Sequence, residues 1–79
     1  MPRYYFDERD NGKFVIDDEG VEIDTFEHVK AEASRAMADF AKDVLPGSVV
    51  RVLAIEVRDK LGPVLRVKLC FEIEHVLTL

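Results

Sequence analysis

The sequence lacks the features that several large classes of protein require. It contains no tryptophan and only one cysteine, Cys70, in 79 residues. A single cysteine excludes an intrachain disulfide and suits a reducing compartment, so we expect a cytoplasmic protein. The opening residues, MPRYYFDERDNGK, contain no apolar stretch of the kind that a signal peptide needs. No apolar run approaches the roughly 18 residues of a membrane-spanning helix, so we expect no contact with a membrane.

An excess of positive charge is also lacking. The net charge is −5, and a negatively charged chain lacks the electrostatic attraction that binds phosphate backbones, so nucleic acid is an unlikely partner class. The composition, 48% apolar and 34% charged, is that of a globular protein, and the length allows one domain, residues 1–79. A domain of this size buries only about 60–65% of its unfolded surface, and such domains often gain stability by self-association.

The first elements are predicted from aromatic residues and a turn. RYYFDE (3–8) and KFVID (13–17) flank Asn11-Gly12, a sequence typical of a two-residue hairpin turn, because type I′ turns need positive φ at both central positions. We therefore predict a hairpin from 3 to 17, with Phe14 on one face of its second strand and Val15 on the other.

A helix is predicted next. Asp24 is a suitable N-cap, and Glu27 stands three residues later, as in a capping box. Pro46-Gly47 ends the helix. An apolar stripe runs along it, formed by Phe26, Val29, Ala33, Ala36, Met37, Phe40 and Val44.

Two longer strands follow, because apolar and polar residues alternate over 49–58 and 64–74. If Val57 lies opposite Leu65 across the DKLGP turn, Glu56 lies opposite Arg66 and forms a cross-strand ion pair. The order β-β-α-β-β predicts an α+β two-layer sandwich, in which one amphipathic helix packs on a four-stranded, mainly antiparallel sheet.

The acidic segment VIDDEGVEID (15–24) is the clearest candidate binding site. It lacks the alternating ligands of a calcium loop, and a turn followed by helix capping accounts for two of its five carboxylates, Asp18 and Asp24. Three of them are left unexplained and are the candidate residues for weak binding of a divalent ion or another ligand: Asp17, Glu19 and Glu22.

No catalytic set is recognisable. Nucleophilic catalysis at Cys70 would need a base and an orienting group, and the two histidines, His28 and His75, have no predicted partners that would complete a metal site. We expect no enzyme activity, no metal site and no cofactor.

Two features favour association. Residues on the sheet face opposite the helix are rather apolar: Tyr5 (or Tyr4), Val15, Val52, Ala54 and Cys70. The chain also ends in HVLTL, whose apolar residues are Val76, Leu77 and Leu79. These residues either extend the last strand along a partner or fold back onto the core. A homodimer is therefore a reasonable expectation, since an exposed sheet edge is a natural pairing site.

The opening MPRYYFD, the DDEGVEI turn, the alanine-rich helix and LAIEVRD followed by RVKL resemble a family of short bacterial proteins of unknown function, mostly alphaproteobacterial. This resemblance implies a small cytoplasmic α+β protein and brings no activity, cofactor or catalytic residues. The succession of an aromatic strand, a turn, a second strand, an acidic-glycine turn and the helical segment DTFEHVKAEA is also similar to the N-terminal domain of HicB-type antitoxins, which are binding modules. We therefore expect a small protein-interaction or regulatory module acting through its sheet edge or outer sheet face. The alternatives are an antitoxin-like module that binds an unidentified protein or RNA, and ion or ligand binding at 17–24.

Overall fold

The structure, a computed structural model, describes residues 1–77. It contains five strands and one helix: β1 (Arg3–Asp10), β2 (Lys13–Val15), β3 (Val21–Glu22), α1 (Phe26–Val44), β4 (Val50–Asp59) and β5 (Gly62–Glu72). All strand pairs are antiparallel, and the helix packs on one face of the sheet. The α+β prediction is confirmed, although the sheet has one more strand than predicted.

The strand order is β2-β1-β4-β5, and β3 also pairs with β1. β2 pairs with residues 8–10 of β1, and β3 pairs with residues 3–4. The two short strands therefore share one edge of β1, and β4 occupies its other edge. Asn11 and Gly12 both have positive φ, 50° and 93°, which confirms the predicted hairpin turn.

The second strand is shorter than predicted, ending at Val15 rather than Asp17. The reason is that the N–H of Asp17 donates to the Asp7 carboxylate instead of continuing the ladder with β1. The chain bends away over 16–20 and returns to β1 as β3, which a two-residue strand gave no periodic signal to predict.

The helix covers the core as predicted, except at its start. Its buried residues are Val29, Ala33, Met37 and Phe40, and they pack on Ile23 and on the β4 residues Leu53, Ile55 and Val57. Phe26, predicted for the same stripe, is 49% exposed, and Lys30 Nζ lies 5.8 Å from its ring centroid. Phe26, the first residue of the helix, therefore lies beyond the part of α1 that packs on the sheet.

The predicted N-cap was wrong by one residue. Thr25 has the extended backbone of a cap, and its Oγ1 accepts a hydrogen bond from the N–H of His28 at 3.1 Å. Asp24 instead contacts the His28 ring, with 2.7 Å between Oδ1 and Nδ1. Glu27 pairs with Lys30 rather than closing a capping box. The helix ends before Pro46, as predicted.

The register of β4 with β5 is the predicted one. Val57 lies opposite Leu65 and Glu56 opposite Arg66, with 3.4 Å between Arg66 Nε and Glu56 Oε2. Directly paired residues share a face of the sheet. From Leu65 to Glu72, the inner face, which packs against α1, therefore carries the odd-numbered residues of β5, and the outer face carries the even-numbered ones.

Candidate functional site

The Asp17 carboxylate closes the acidic turn. Its Oδ1 accepts hydrogen bonds from the N–H groups of Glu19 and Gly20 at 3.0 and 3.1 Å, and its Oδ2 accepts one from the N–H of Phe6 at 3.0 Å. The bond to Phe6 gives an acceptor to a β1 N–H that lies between the part of β1 paired with β2 and the part paired with β3. Partial burial raises the pKa of Asp17, but these N–H groups and the Arg58 charge outweigh it and hold the pKa below its ordinary value.

The other two candidate acids border the same turn. The backbone oxygen of Glu19 accepts a hydrogen bond from Arg3 at 2.8 Å, and the side chain of Glu22 lies 3.6 Å from the same guanidinium. Gly20 has a φ of 73°, and a Cβ there would come within 2.9 Å of the Tyr4 oxygen. The segment is thus a structural turn fitted tightly against β1, and its carboxylates do not converge on a common point.

Asp7 is the buried centre of this region and was missed by the sequence reasoning. It is 4% exposed. Its Oδ2 accepts a hydrogen bond from Arg58 Nε at 2.8 Å, and its Oδ1 accepts the N–H of Asp17 at 2.9 Å. Arg58 also donates to the backbone oxygen of Asp17. The only sequence signal was an acidic residue inside a strand, and its partners are 10 and 51 residues away.

Guanidinium groups cover much of the outer face. Arg58 Cζ lies 4.5 Å from the Tyr5 ring centroid, and Arg9 Cζ lies 4.5 Å from that of Phe14. Arg9 also donates to Glu56 at 3.0 Å, and this hydrogen bond holds the pKa of Glu56 below its ordinary value. A partner that bound the outer face at Tyr5 or Phe14 would have to displace these contacts, so these two rings are weaker candidates for a binding surface than open apolar residues.

The predicted face of Val15 was wrong. Val15 pairs with Glu8, which pairs with the buried Ile55, so Val15 lies on the inner face. The two-residue turn fixes this register and places Phe14 beside Arg9 on the outer face. The other residues predicted for the outer face do lie there: Tyr5, Val52, Ala54 and Cys70.

The two edges of the sheet differ strongly. One edge consists of β2 and β3, three and two residues long, separated by the acidic turn. The other is β5, which has 11 residues and pairs on one side only within the described residues. A long unpaired strand presents a row of backbone donors and acceptors that another chain can bind.

The direction of these backbone groups follows from one hydrogen bond. The N–H of Ile73 donates to the oxygen of Val49, at the end of the β4–β5 ladder. Residues that bond to a given neighbour alternate along an antiparallel strand. The N–H and C=O groups of 65, 67, 69 and 71 therefore bond to β4, and those of 66, 68, 70 and 72 point away from it. We call these four outward-pointing residues the free edge, and no strand within residues 1–77 pairs with it.

The inner side of the free edge is apolar and only half-covered by α1. Leu65, Val67, Leu69 and Phe71 are half-buried, and Ile73 is 47% exposed. An open groove of about 510 Å³ runs between the end of the helix and the end of β5. Its lining is mostly apolar: Ala38, Ala41, Lys42, Leu45, Pro46, Gly47, Phe71 and Ile73.

The charges on the outer side of the free edge change from positive to negative along the strand. Arg66 and Lys68 stand at its beginning, Cys70 follows and Glu72 ends it, and Glu74 comes two residues after the end of β5. The Cys70 thiol is exposed. The strand thus carries positive charge at one end and negative charge at the other.

The remaining predicted residues do not join a site. Val76 and Leu77 are 84% and 90% exposed, so they do not fold back onto the core, and Leu79 lies outside the described residues. No group of three or more histidine, cysteine or acidic side chains within 1–77 is placed to hold a metal ion. No helix within that range is long and apolar enough to cross a membrane.

Comparison with known proteins assigns the chain to a family. No curated protein and no solved structure matches the chain. A family model described as "Domain of unknown function (DUF6894)" matches residues 3–70, which include all of β1 to β4 and most of β5. The chain therefore belongs to the DUF6894 family.

Proposed function

We propose that this chain is a non-enzymatic protein-interaction module that binds a partner strand at the free edge of β5. The observation that carries the proposal is the contrast between the two sheet edges. The β2/β3 edge is short, interrupted and acidic. By contrast, β5 offers outward-pointing backbone groups at four alternate residues, beside the half-buried apolar side chains of its inner face. Strand addition of this kind takes affinity from main-chain hydrogen bonds and specificity from alternate side chains.

The apolar groove beside Phe71 supports the same surface. A strand added to β5 would place every second side chain on the inner face, next to the row from Leu65 to Ile73. Burial of that row would contribute about 25 cal/mol for each Å² removed from water. The outer face offers less, because its aromatic rings already lie against Arg9 and Arg58.

We further propose that the module works in the cytoplasm, which its single cysteine suits. The carboxylates of Asp17 and Glu22 serve the fold in this account, because Asp17 accepts the N–H of Phe6 on β1 and Glu22 pairs with Arg3, which also donates to the backbone oxygen of Glu19. Ion binding there would require breaking those contacts.

A photo-crosslinking experiment tests the proposed surface. A photoreactive amino acid replaces Lys68, on the free edge, and the matched control replaces Lys60, in the β4–β5 turn. We expect a discrete crosslinked protein from position 68 and none from position 60 when the full chain is irradiated in its native host.

A blocking variant completes the test. Cys70→Pro removes an N–H that points away from β4 and leaves the bonds between β4 and β5 in place. We expect it to abolish the adduct from position 68 while circular dichroism shows a folded chain. An equal adduct from both positions, an adduct that survives Cys70→Pro, or no adduct at all would contradict the proposal.

A further inference from the structure

We propose that the strand bound at the free edge is β5 of a second copy, paired antiparallel so that Cys70 lies opposite Cys70. This inference rests on the proposed function and names its partner. The two sheets then join into one continuous sheet about a twofold axis that passes between the cysteines. A twofold contact uses the same surface on both subunits, so the surface must be complementary to itself.

The charge order along β5 meets that requirement. On the outer face the order is Arg66, Lys68, Cys70 and Glu72, and Glu74 follows in the chain two residues after β5 ends. Antiparallel pairing about Cys70 reverses this order in the second copy. Each Lys68 then faces a Glu72. Where this pairing extends the strand to residue 74, each Arg66 also faces a Glu74, which gives four cross-strand ion pairs in the dimer. Opposite charges directly across an antiparallel pair stabilise it.

Other pairings satisfy fewer charges. A register centred on Leu69 leaves Lys68 opposite Cys70 and keeps only the pair between Arg66 and Glu72. A register centred on Lys68 places like charges together on the axis. Parallel, in-register pairing sets Arg66 against Arg66 and Glu72 against Glu72, which is destabilising.

The backbone and the inner face agree with the same register. Residues 66, 68, 70 and 72 all point their N–H and C=O groups away from β4, so pairing about residue 70 matches donors with acceptors. On the inner face, Val67 of one copy meets Ile73 of the other, and Leu69 meets Phe71. The half-covered apolar row of each copy is thereby extended across the interface, with both helices on the same side of the joined sheet.

A charge-exchange series on the full chain tests the inference by sedimentation equilibrium. We expect a dimer for the wild-type chain. Lys68→Glu or Glu72→Lys alone should raise the dissociation constant about tenfold, because each turns two favourable pairs of the dimer into two repulsive ones. The double variant Lys68→Glu/Glu72→Lys should restore the wild-type constant within about threefold. Lys60→Glu, which makes the same charge change in the β4–β5 turn, is the matched control and should leave the constant unchanged.

Cys70 reports the register independently. The thiol-specific oxidant diamide should join the two chains through a Cys70–Cys70 disulfide, since paired Cα atoms lie about 5.5 Å apart in such a register, within disulfide reach. A chain with Cys70→Ser and Lys60→Cys should not cross-link at the same rate. A strict monomer at millimolar concentration, or a dimer indifferent to both charge reversals, would overturn the inference. A monomer that still gives the position-68 adduct with another protein would remove the second copy and leave the proposed function standing.

Discussion

At the scale of single residues, the acidic segment is explained by backbone chemistry. The carboxylate of Asp17 accepts three backbone N–H groups, one of them from Phe6 on β1. A carboxylate in that position replaces a missing strand neighbour. Asp7 and Arg58 hold the same bend from the outer face. The turn thus ends one strand, starts another and leaves no long free edge on that side of the sheet.

Asp17→Ala should lower the free energy of unfolding by about 1–3 kcal/mol at pH 7, because the Phe6 N–H loses its acceptor at a half-buried position. The folded state lowers the pKa of Asp17. Its stabilisation is therefore present above the unfolded pKa of about 3.9 and is lost as the pH falls through the folded pKa. Urea unfolding should show a difference between wild type and variant that is full at pH 7 and shrinks below about pH 4.

The exposed neighbour provides the control for that measurement. Asp18→Ala changes the same charge in the same turn, and we expect a change within about 0.5 kcal/mol. Equal losses for the two variants would contradict the structural role of Asp17.

How far the sequence predicts the residues depends on how local their partners are. An aspartate that accepts N–H groups two and three residues later is a local turn pattern, and Asp17 with Gly20 fits it. The bond from Asp17 to Phe6 and the network of Asp7 with Arg58 depend on the sheet register. Sequence reasoning could therefore find the turn but could not find the buried acid beneath it.

At the scale of elements, length and periodicity decided what could be predicted. The 19-residue helix and the two strands β4 and β5 show clear periods, and the register between those strands followed from the turn. β3 has two residues, too few for a period, and it forms through pairing with residues 3–4. The faces of β2 were reversed because a single-residue shift in register exchanges the two faces of a strand.

The helix start offers a prediction at this scale. Thr25→Ala should destabilise the chain by about 1 kcal/mol, because the N–H of His28 loses its acceptor. Asp24→Ala should cost less, since the ion pair between Asp24 and the His28 ring is exposed on both sides. Thermal unfolding of both variants at pH 7 measures which loses more stability. A larger loss for Asp24→Ala would indicate that Asp24, the N-cap predicted from the sequence, caps the helix.

At the scale of the whole molecule, one helix is too narrow for the sheet it covers. The core centres on β4, whose Leu53 and Ile55 are fully buried, while the inner row of β5 is only half-buried. The length of 79 residues predicts a small core. It does not predict which strand lies at the edge, because strand order is a property of the fold. That edge is the surface on which the proposed function rests.

Residue-resolved amide exchange on β5 tests this account most directly. In dilute solution the odd-numbered amides 65 to 73 should be protected by β4, and those of 66, 68, 70 and 72 should exchange quickly. Raising the chain concentration should slow the four even-numbered amides together while the amides of β2 and β3 stay unchanged. Fast exchange at all four positions at every concentration, or protection that appears at the β2/β3 edge instead, would contradict the pairing of two copies at the free edge of β5.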